Sequence, residues 1–228
     1  MSLEDADRER LDVLHARLGE ANAVSLGYPS AKDFDYAELA PFLTFPINNV
    51  GDPFAEATYR VETREFEREV VGFFADLYRA PADDWWGYVT NGGTEGNLYG
   101  LYLARELLPK GMVYYSEQTH YSVAKNLHFL GMRHITIRSQ SSGEIDYEDL
   151  RETLKIHRDV PPIIFANIGT TMTEARDDVA RIVSIMDDLA IHERYIHSDA
   201  ALAGAYAGLL EPRPSYDFVD GADSIAVS

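Results

Sequence analysis

The sequence predicts an α/β fold in which a mostly parallel β-sheet is flanked by helices. Short apolar segments rich in β-branched and aromatic residues alternate with amphipathic helical segments from about residue 86 to residue 228. This alternation is typical of βαβ units and a parallel sheet. Of the 228 residues, 46% are hydrophobic and 25% are charged, which is the composition of a globular protein.

The expected strands are WGYVT, GMVYYS, HITIRS, PPIIFANIG, RYIHSDA and DSIAVS. Helices are expected between them over 94–108, 120–130, 146–157 and 174–192. Ligands of parallel sheets bind at the carboxyl ends of the strands. The candidate ligand loops are therefore 90–96, 116–121, 169–177 and 199–204.

The chain before these segments is expected to be helical or irregular. An amphipathic helix over 4–19 would place Leu11, Leu14 and Leu18 on one face. Residues 20–55 carry many glycines and prolines and are expected to be irregular. A second amphipathic helix is predicted over 56–79, with an apolar side made of Phe66, Val70, Phe73, Phe74 and Leu77.

Composition excludes several kinds of partner. The formal charge of −18 disfavours nucleic acids and anionic membranes. The absence of cysteine excludes disulfides and thiolate metal sites, and no HExxH spacing occurs, so no metal site is predicted. The N-terminus reads as a charged helix and no apolar run reaches about 18 residues, so we expect a cytoplasmic protein.

The segment TNGGTEGN, residues 90–97, predicts a strand-to-helix turn that binds an anion. Gly92 and Gly93 allow close backbone approach, and Thr94 is expected to be the N-cap of the next helix. Amides at such a helix start attract phosphate. An ordinary capped turn is the alternative, because the segment is neither a Walker loop nor GxGxxG.

His120 follows an expected strand and stands at a helix start. A histidine in this place can stack on a planar ligand, act in acid–base chemistry or bind a metal. The alternative is a surface or capping histidine.

Asp199 ends an apolar, strand-like run in IHSDAALAG. A buried carboxylate requires a cation or several donors. Asp199 and Ala201 point to one face of an extended chain, so Asp199 is placed to meet a protonated pyridine nitrogen while Ala201 packs on the ring. His197 shares this face. The alternatives are that Asp199 caps the next turn or pairs with an arginine.

The segment GTTMTEARDD, residues 169–178, follows another buried strand. Its two threonines are able to donate to a ligand or to cap a helix, and Asp177 and Asp178 suit the first helical turn. Capping is the simpler interpretation of each residue taken alone.

The order of these motifs resembles the pyridoxal-phosphate-dependent group II decarboxylases, and most of all the bacterial histidine decarboxylases. The shared segments are WGYVTNGGTEGN, THYSVAK, GEIDY, PIIFANIGTT, an N-terminal GYP…DFDY…INN.GD pattern, and ADSIAVS. The similarity runs from about Gly27 to Ser228. It implies the large domain of fold type I, the aspartate-aminotransferase-like transferase fold, over 56–228, preceded by a helix and substrate-side arm over 1–55.

The resemblance also implies roles for matched residues. Asp199 would pair with the pyridine nitrogen of pyridoxal 5'-phosphate, between His120 on one face of the ring and Ala201 on the other. The phosphate would be held by Gly93, Thr94 and Ser228. Thr171 would lie near the ring edge or the Asp199 network, and the substrate mouth would be lined by Tyr28, Asn48 and Asn49.

The family pattern continues after DSIAVS with Gly-His-Lys, whose lysine binds the cofactor covalently, and with a small C-terminal domain. The chain ends at Ser228. Four lysines are present, and none follows Asp199: Lys32, Lys110, Lys125 and Lys155. We therefore expect a fragment, or a chain that stops at a modified lysine, and no full activity from these residues alone.

The implied function is decarboxylation of an L-amino acid by a homodimer or higher homo-oligomer, with histidine converted to histamine and CO2. Serine or a specialised amino acid is the alternative substrate, and transamination or aldol cleavage the alternative reaction. A truncated, non-catalytic protein is a further possibility. A nucleotide-binding α/β protein would need an acidic residue about 20 positions beyond the glycine turn; Glu117 is near that offset, but the spacing of the turn is wrong.

Overall fold

The computed structural model describes residues 3–27, 32 and 35–228 of the chain. These residues belong to two compact units, Met1–Ile47 and Asn48–Ser228. The predicted division at residues 55 and 56 stays a prediction. No helix in the described ranges is both long enough and apolar enough to cross a membrane.

The first unit contains helix α1, Asp5–Val24, and a 3₁₀ helix, Ala37–Thr44. The predicted N-terminal helix is confirmed and is longer than expected. Its predicted apolar residues are exposed by 38–56% (Leu11, Leu14 and Leu18). No described residue of α1 is buried, so its apolar side chains pack against no core within this unit.

The second unit is a five-stranded parallel sheet with helices on both faces, which confirms the predicted α/β class. The strands are β1 Met112–Ser116, β2 His134–Ile137, β3 Pro162–Asn167, β4 Tyr195–Ala200 and β5 Ser224–Val227, in the order β2-β1-β3-β4-β5. The helices are α2 Arg64–Leu77, α3 Gly93–Leu107, α4 Ser122–Leu130, α5 Tyr147–Ile156, α6 Val179–Asp188 and the single turn α7 Gly204–Ala207.

The two faces of the sheet carry separate cores. On one face α3 and α4 pack over residues such as Val113, Phe165 and Tyr195. On the other face α5, α6 and α7 pack over residues such as Ile164 and Ile196. All residues of β3 and β4 are buried, as expected for central parallel strands covered on both sides.

The predicted strand WGYVT is wrong. Residues 86–90 form no ladder, although their Trp, Tyr, Val and Thr side chains favour strands. A strand requires a hydrogen-bonding neighbour, and residues 85–90 instead line a groove of about 970 Å³ together with β5. The segment therefore enters α3 as irregular chain.

Two predicted helices are too long at their starts. The helix predicted over 56–79 begins at Arg64, because the preceding residues bond back to the chain: Asn48 N donates to Val61 O (3.0 Å) and Thr63 N to Asn49 Oδ1 (2.8 Å). The helix predicted over 174–192 spans Val179–Asp188. Within the residues before it, Arg176 instead forms an antiparallel β-bridge with Ile168, which directly follows β3.

The predicted apolar side of α2 is divided between core and solvent. Phe74 and Leu77 pack against the core of the second unit. Phe66, Val70 and Phe73 are exposed by 46–66%.

A buried ion cluster joins the end of α2 to the segment before β5. The Asp217 side chain is fully buried and accepts from Arg79 Nε (2.7 Å) and Arg213 Nη2 (2.8 Å). Burial alone would raise the pKa of Asp217, but the two guanidinium groups outweigh it and hold that pKa below its ordinary value. The carboxylate is therefore charged in the folded protein at neutral pH.

We expect Asp217→Asn to lower the free energy of unfolding by roughly 3 kcal/mol at pH 7, because it leaves two guanidinium groups without their buried partner. Since the folded-state pKa is depressed, this stabilisation is present above the unfolded pKa and is lost as pH falls. The difference between wild type and variant should therefore shrink below about pH 4 in urea unfolding.

The matched control is Asp188→Asn, which removes an exposed ion pair with Arg151 (2.8 Å). It should change the free energy of unfolding by less than about 1 kcal/mol. An equal loss in the two variants, or a loss for Asp217→Asn that does not vary with pH, would contradict the assignment.

Candidate active site

The predicted ligand residues lie at the carboxyl edge of the sheet. His120 follows β1, Thr171 follows β3, Ala201 follows β4 and Ser228 follows β5. The start of α3 reaches the same edge. Parallel strands place these loops side by side, which is where ligands of such sheets bind.

The glycine turn before α3 is closely packed against this edge. Gly92 is the N-cap and has φ +117°, a conformation that favours glycine. A methyl group at Gly93 would lie 2.7 Å from Cβ of Ala201 and 3.5 Å from Cβ of Ser228. The turn, the end of β4 and the end of β5 therefore form one cradle that a side chain would fill.

The sequence predicted Thr94 as the N-cap of α3, and this prediction is wrong. The helix begins at Gly93, so Thr94 is an exposed residue of its first turn. Glycine takes the cap position because the positive φ there excludes most side chains. The first amides of α3 have no acceptor within the helix, and they give this end a partial positive charge suited to a phosphate.

Glu95 holds the turn in shape, a role that the sequence analysis missed. Its Oε2 accepts from the backbone N and from Nδ2 of Asn91, both at 2.9 Å. These two hydrogen bonds lower the pKa of Glu95. The sequence pattern that could have indicated this role is the spacing of Asn91 and Glu95, which are four positions apart across the start of the helix.

Asp199 lies on β4 and is only 8% exposed, so the predicted buried strand position is confirmed. Burial raises the pKa of its carboxyl group, and three neighbours oppose this: the Asn97 side chain, the Ala201 amide and the charge of His120. The Ala201 amide donates to Asp199 Oδ1 at 3.2 Å, so the carboxylate does cap its own turn. Within the described part of the chain, no arginine or lysine forms an ion pair with it.

His120 stands between β1 and α4 and is partly buried. Its Nδ1 and Ser122 Oγ are 2.8 Å apart, which fixes one edge of the ring. Its ring centroid lies 4.2 Å from that of Tyr121. The charge of His120 lowers the pKa of Asp199.

The loop after β3 turns its two threonines in different directions. Thr170 is buried, and its hydroxyl lies 2.7 Å from that of Thr173. Thr171 is exposed at the sheet edge. The loop itself is closed by the amides of Gly169 and Thr170, which both donate to Ala175 O at 3.0 Å.

Asp177 supports this loop from inside and was wrongly placed in the first turn of a helix. Asp178, not Asp177, is the N-cap of α6. Asp177 accepts from the backbone amides of Ile145 and Asn167, both at 2.7 Å, and from Asn167 Nδ2 at 3.1 Å. Burial raises its pKa to about 6. Asn167 pairs in register with Asp199, so Asp177 stiffens the strand beside the candidate site.

A second buried polar group, formed by Asn97 and His197, lies under Asp199. His197 is 1% exposed, and burial lowers its pKa to about 3. Its Nε2 is 2.9 Å from Asn97 Oδ1 and its Nδ1 is 2.7 Å from Ser224 Oγ. The sequence placed His197 on the face of Asp199 but gave Asn97 no role.

Two of the three residues predicted at the substrate mouth, Asn48 and Asn49, hydrogen-bond to the segment before α2 and to the first turn of α2. Tyr28 lies outside the described residues. Asn49 accepts from Thr63 N and donates to Glu67 Oε2 (2.9 Å), so its side chain anchors the start of α2. A substrate role for Asn48 and Asn49 stays a proposal.

The chain is similar to a known enzyme family over most of its length. The family model described as "Pyridoxal-dependent decarboxylase conserved domain" matches residues 27–228. The chain is 54% identical over 226 residues to the histidine decarboxylase of Mesorhizobium japonicum and 44% identical over 230 residues to that of Morganella morganii. These matches cover 99% and 100% of this chain and 61% of each relative.

Solved structures of similar fold agree with this result. The L-methionine decarboxylase of Streptomyces sp. 590 superposes with a TM-score of 0.89 at 25% identity, covering 100% of this chain and 65% of that one. The glutamate decarboxylase of Lactobacillus brevis gives 0.73 at 21% identity, covering 100% and 54%, which shows the fold alone. The predicted resemblance and the fold-type-I class are confirmed.

This chain spans about 61% of the length of the curated relatives that it matches. The family match covers the glycine turn, His120, His197 and the strand that carries Asp199. The chain belongs to the pyridoxal-dependent decarboxylase family.

Proposed function

We propose that this chain is the cofactor-binding part of a pyridoxal-phosphate-dependent decarboxylase that converts L-histidine to histamine and CO2. The observation that carries the proposal is Asp199, a buried carboxylate at the ligand edge that forms no ion pair with an arginine or lysine among the described residues. The choice of histidine rests on the relatives named histidine decarboxylase, at 54% and 44% identity. The activity is proposed for the whole protein, since the chain spans only part of those relatives.

The residues at the sheet edge fit pyridoxal 5'-phosphate, the cofactor of this family. The compact cradle of Gly93, Ala201 and Ser228 at the start of α3 suits a phosphate. Asp199 suits a protonated ring nitrogen, and His120 suits the face of an aromatic ring. We propose that Gly93, Thr94, His120, Thr171, Asp199, Ala201 and Ser228 bind the cofactor, and that His120 and Asp199 are the catalytic residues.

Each side chain has a defined task in this proposal. Asp199 keeps a proton on the ring nitrogen, and an ion pair sheltered from water does so far more strongly than an exposed pair. His120 and Ala201 cover the two faces of the ring and exclude water from it. When bound, pyridoxal phosphate supplies the electron sink for the pair released as the substrate carboxylate leaves as CO2.

We also propose, from the family resemblance, a cytoplasmic homodimer. The exposed apolar residues of α2, Phe66, Val70 and Phe73, are compatible with a covered surface in such an assembly. A different substrate remains the second candidate. The structural neighbour that matches this whole chain at a TM-score of 0.89 is a decarboxylase of methionine, so methionine belongs in the test with serine.

The test is to incubate the complete protein and pyridoxal phosphate with single L-amino acids and to measure CO2, amine and keto acid. We expect equimolar histamine and CO2 from histidine, and turnover of serine, methionine and glutamate lower by at least about tenfold. Preferential release of CO2 from another amino acid would replace histidine as the substrate. Keto acid without CO2 would contradict decarboxylation.

Asp199→Ala should lower kcat by at least about 100-fold, the usual scale for removing one preorganised charge interaction at a reacting centre. Circular dichroism should be unchanged, because Asp199 contributes one hydrogen bond to the turn. The control is Asp178→Ala, which removes the N-cap of α6. It should lower the free energy of unfolding by about 1 kcal/mol and leave kcat unchanged. Near-normal turnover of Asp199→Ala would refute the role.

His120→Ala should weaken cofactor affinity by about 2- to 10-fold and shift the absorption band of the bound cofactor, since a stacked ring pair contributes about 0.5–1.5 kcal/mol. His120→Phe keeps a flat ring and should restore most of the affinity. Titration of the apoprotein with pyridoxal phosphate measures both effects. Equal affinity and equal spectra for wild type and His120→Ala would count against stacking.

A further inference from the structure

His197 is placed to act on Asp199 without contacting a ligand itself. Tyr195, His197 and Asp199 alternate along β4 and so point to the same face of the sheet, the face covered by α3. His197 is enclosed there, with its ring 5.2 Å from that of Phe165. An apolar side chain would be enough to fill this space. A histidine adds one hydrogen-bond donor and one acceptor to the buried face of the strand.

The hydrogen bonds around His197 have only one consistent direction. Asn97 lies on α3 between Gly93 and Gly100, which contact Ala201 and His197 on either side of Asp199, and its side chain lowers the pKa of the Asp199 carboxyl group. A carboxylate only accepts, so the amide NH2 is the part of Asn97 that faces Asp199. Asn97 Oδ1 must then accept from His197 Nε2–H (2.9 Å). His197 is neutral, so its Nδ1 accepts from the Ser224 hydroxyl (2.7 Å).

The hydrogen bonds of His197 form a short series. Ser224 donates to His197 Nδ1, and His197 Nε2 donates to Asn97 Oδ1, so the series runs in one direction toward the face of α3 that lies against Asp199. Such a series polarises each successive bond and fixes the tautomer of the histidine.

Helix α3 leaves the ring of His197 no freedom to turn. A methyl group at Gly100 would lie 2.3 Å from His197 Nδ1 and 2.4 Å from Cε1, so the helix backbone lies against the ring. Gly93, Gly96, Asn97 and Gly100 share one face of α3, at spacings of three and four residues. The close approach that forms the cradle at Gly93 thus also clamps His197 below Asn97.

We propose that His197 and Asn97 are positioning residues that hold the Asp199 carboxylate in the orientation needed to pair with the ring nitrogen of the cofactor. His197 acts through Asn97, and Asn97 directs one N–H at Asp199, so that the carboxylate faces the ligand with its remaining acceptor capacity. This inference rests on the proposed function, because it takes the pairing of Asp199 with the cofactor as given.

The test compares the affinities of the complete apoprotein for pyridoxal phosphate and for its 1-deaza analogue, in which a C–H group replaces the ring nitrogen. The ratio of the two affinities measures the pairing with Asp199 and cancels contacts to the phosphate and the ring faces. His197→Met removes the ring hydrogen bonds at similar volume. His197→Gln retains an N–H able to donate to Asn97 Oδ1.

We expect wild type to prefer pyridoxal phosphate and His197→Met to reduce that preference about tenfold, the scale of one hydrogen bond to a charged group. His197→Gln should recover most of it. Should His197→Met fail to fold, Ser224→Ala provides a second test in the same direction, with a reduction of about two- to threefold, because it removes only the hydrogen bond to Nδ1.

The control is Ser198→Ala. Ser198 lies between His197 and Asp199 on β4 but points to the opposite face, where its hydroxyl donates to Tyr216 O at 2.8 Å. This variant loses one buried hydrogen bond of the same strand and should keep the full preference.

Two results separate the possible failures. A wild-type preference that persists unchanged in His197→Met and in Ser224→Ala overturns the positioning role and leaves the proposed function intact. A wild type that binds both compounds equally shows that Asp199 does not pair with the ring nitrogen, which overturns the proposed function together with this inference.

Discussion

The candidate site depends on a carboxylate that the protein holds almost out of water. Asp199 is the next-to-last residue of strand β4, in which every residue is buried. A charge in such a place costs several kcal/mol unless a cation or several donors face it. Its own turn supplies one amide and helix α3 supplies one side-chain amide. A ligand with a protonated ring nitrogen would complete this set, which is why one residue links the fold to the proposed chemistry.

Close packing of one helix on two strands couples the parts of the site. Glycines on one face of α3 let its backbone approach Ala201, Ala226 and His197, with no room for a methyl group at Gly93 or Gly100. The same approach sets the helix start at the sheet edge, where its free amides suit a phosphate, and brings Asn97 between His197 and Asp199. Protein interiors transmit small displacements because they are close-packed, so a shift of α3 would alter both the phosphate cradle and the carboxylate.

The sequence was sufficient for the features that depend on local pattern. Five of six expected strands are present, since runs such as PPIIFANIG are continuous and apolar, and the buried position of Asp199 was predicted from the same pattern. Features that depend on distant partners were not predictable. WGYVT has strand composition but borders a groove, and Asp177 resembles a capping residue although its hydrogen bonds go to Ile145 and Asn167.

The role of Asn97 was predictable from the sequence only in part. Its spacing from Gly93, Gly96 and Gly100 marks one face of a helix and is readable from the sequence, so a closely packed face could have been predicted. That this face lies on His197 depends on the order of the strands and the direction in which α3 crosses them. The local sequence specifies neither the strand order nor the direction of α3. The family resemblance implied no role for Asn97.

The most direct test of the account is the protonation state of the cofactor nitrogen. The complete protein, loaded with pyridoxal phosphate carrying ¹⁵N in its ring, would be followed by nitrogen NMR from pH 6 to pH 9. Pairing with the buried Asp199 predicts a nitrogen that stays protonated across this whole range in wild type and loses its proton within it in Asp199→Ala. A wild-type nitrogen that titrates as it does in the free cofactor would contradict the central claim.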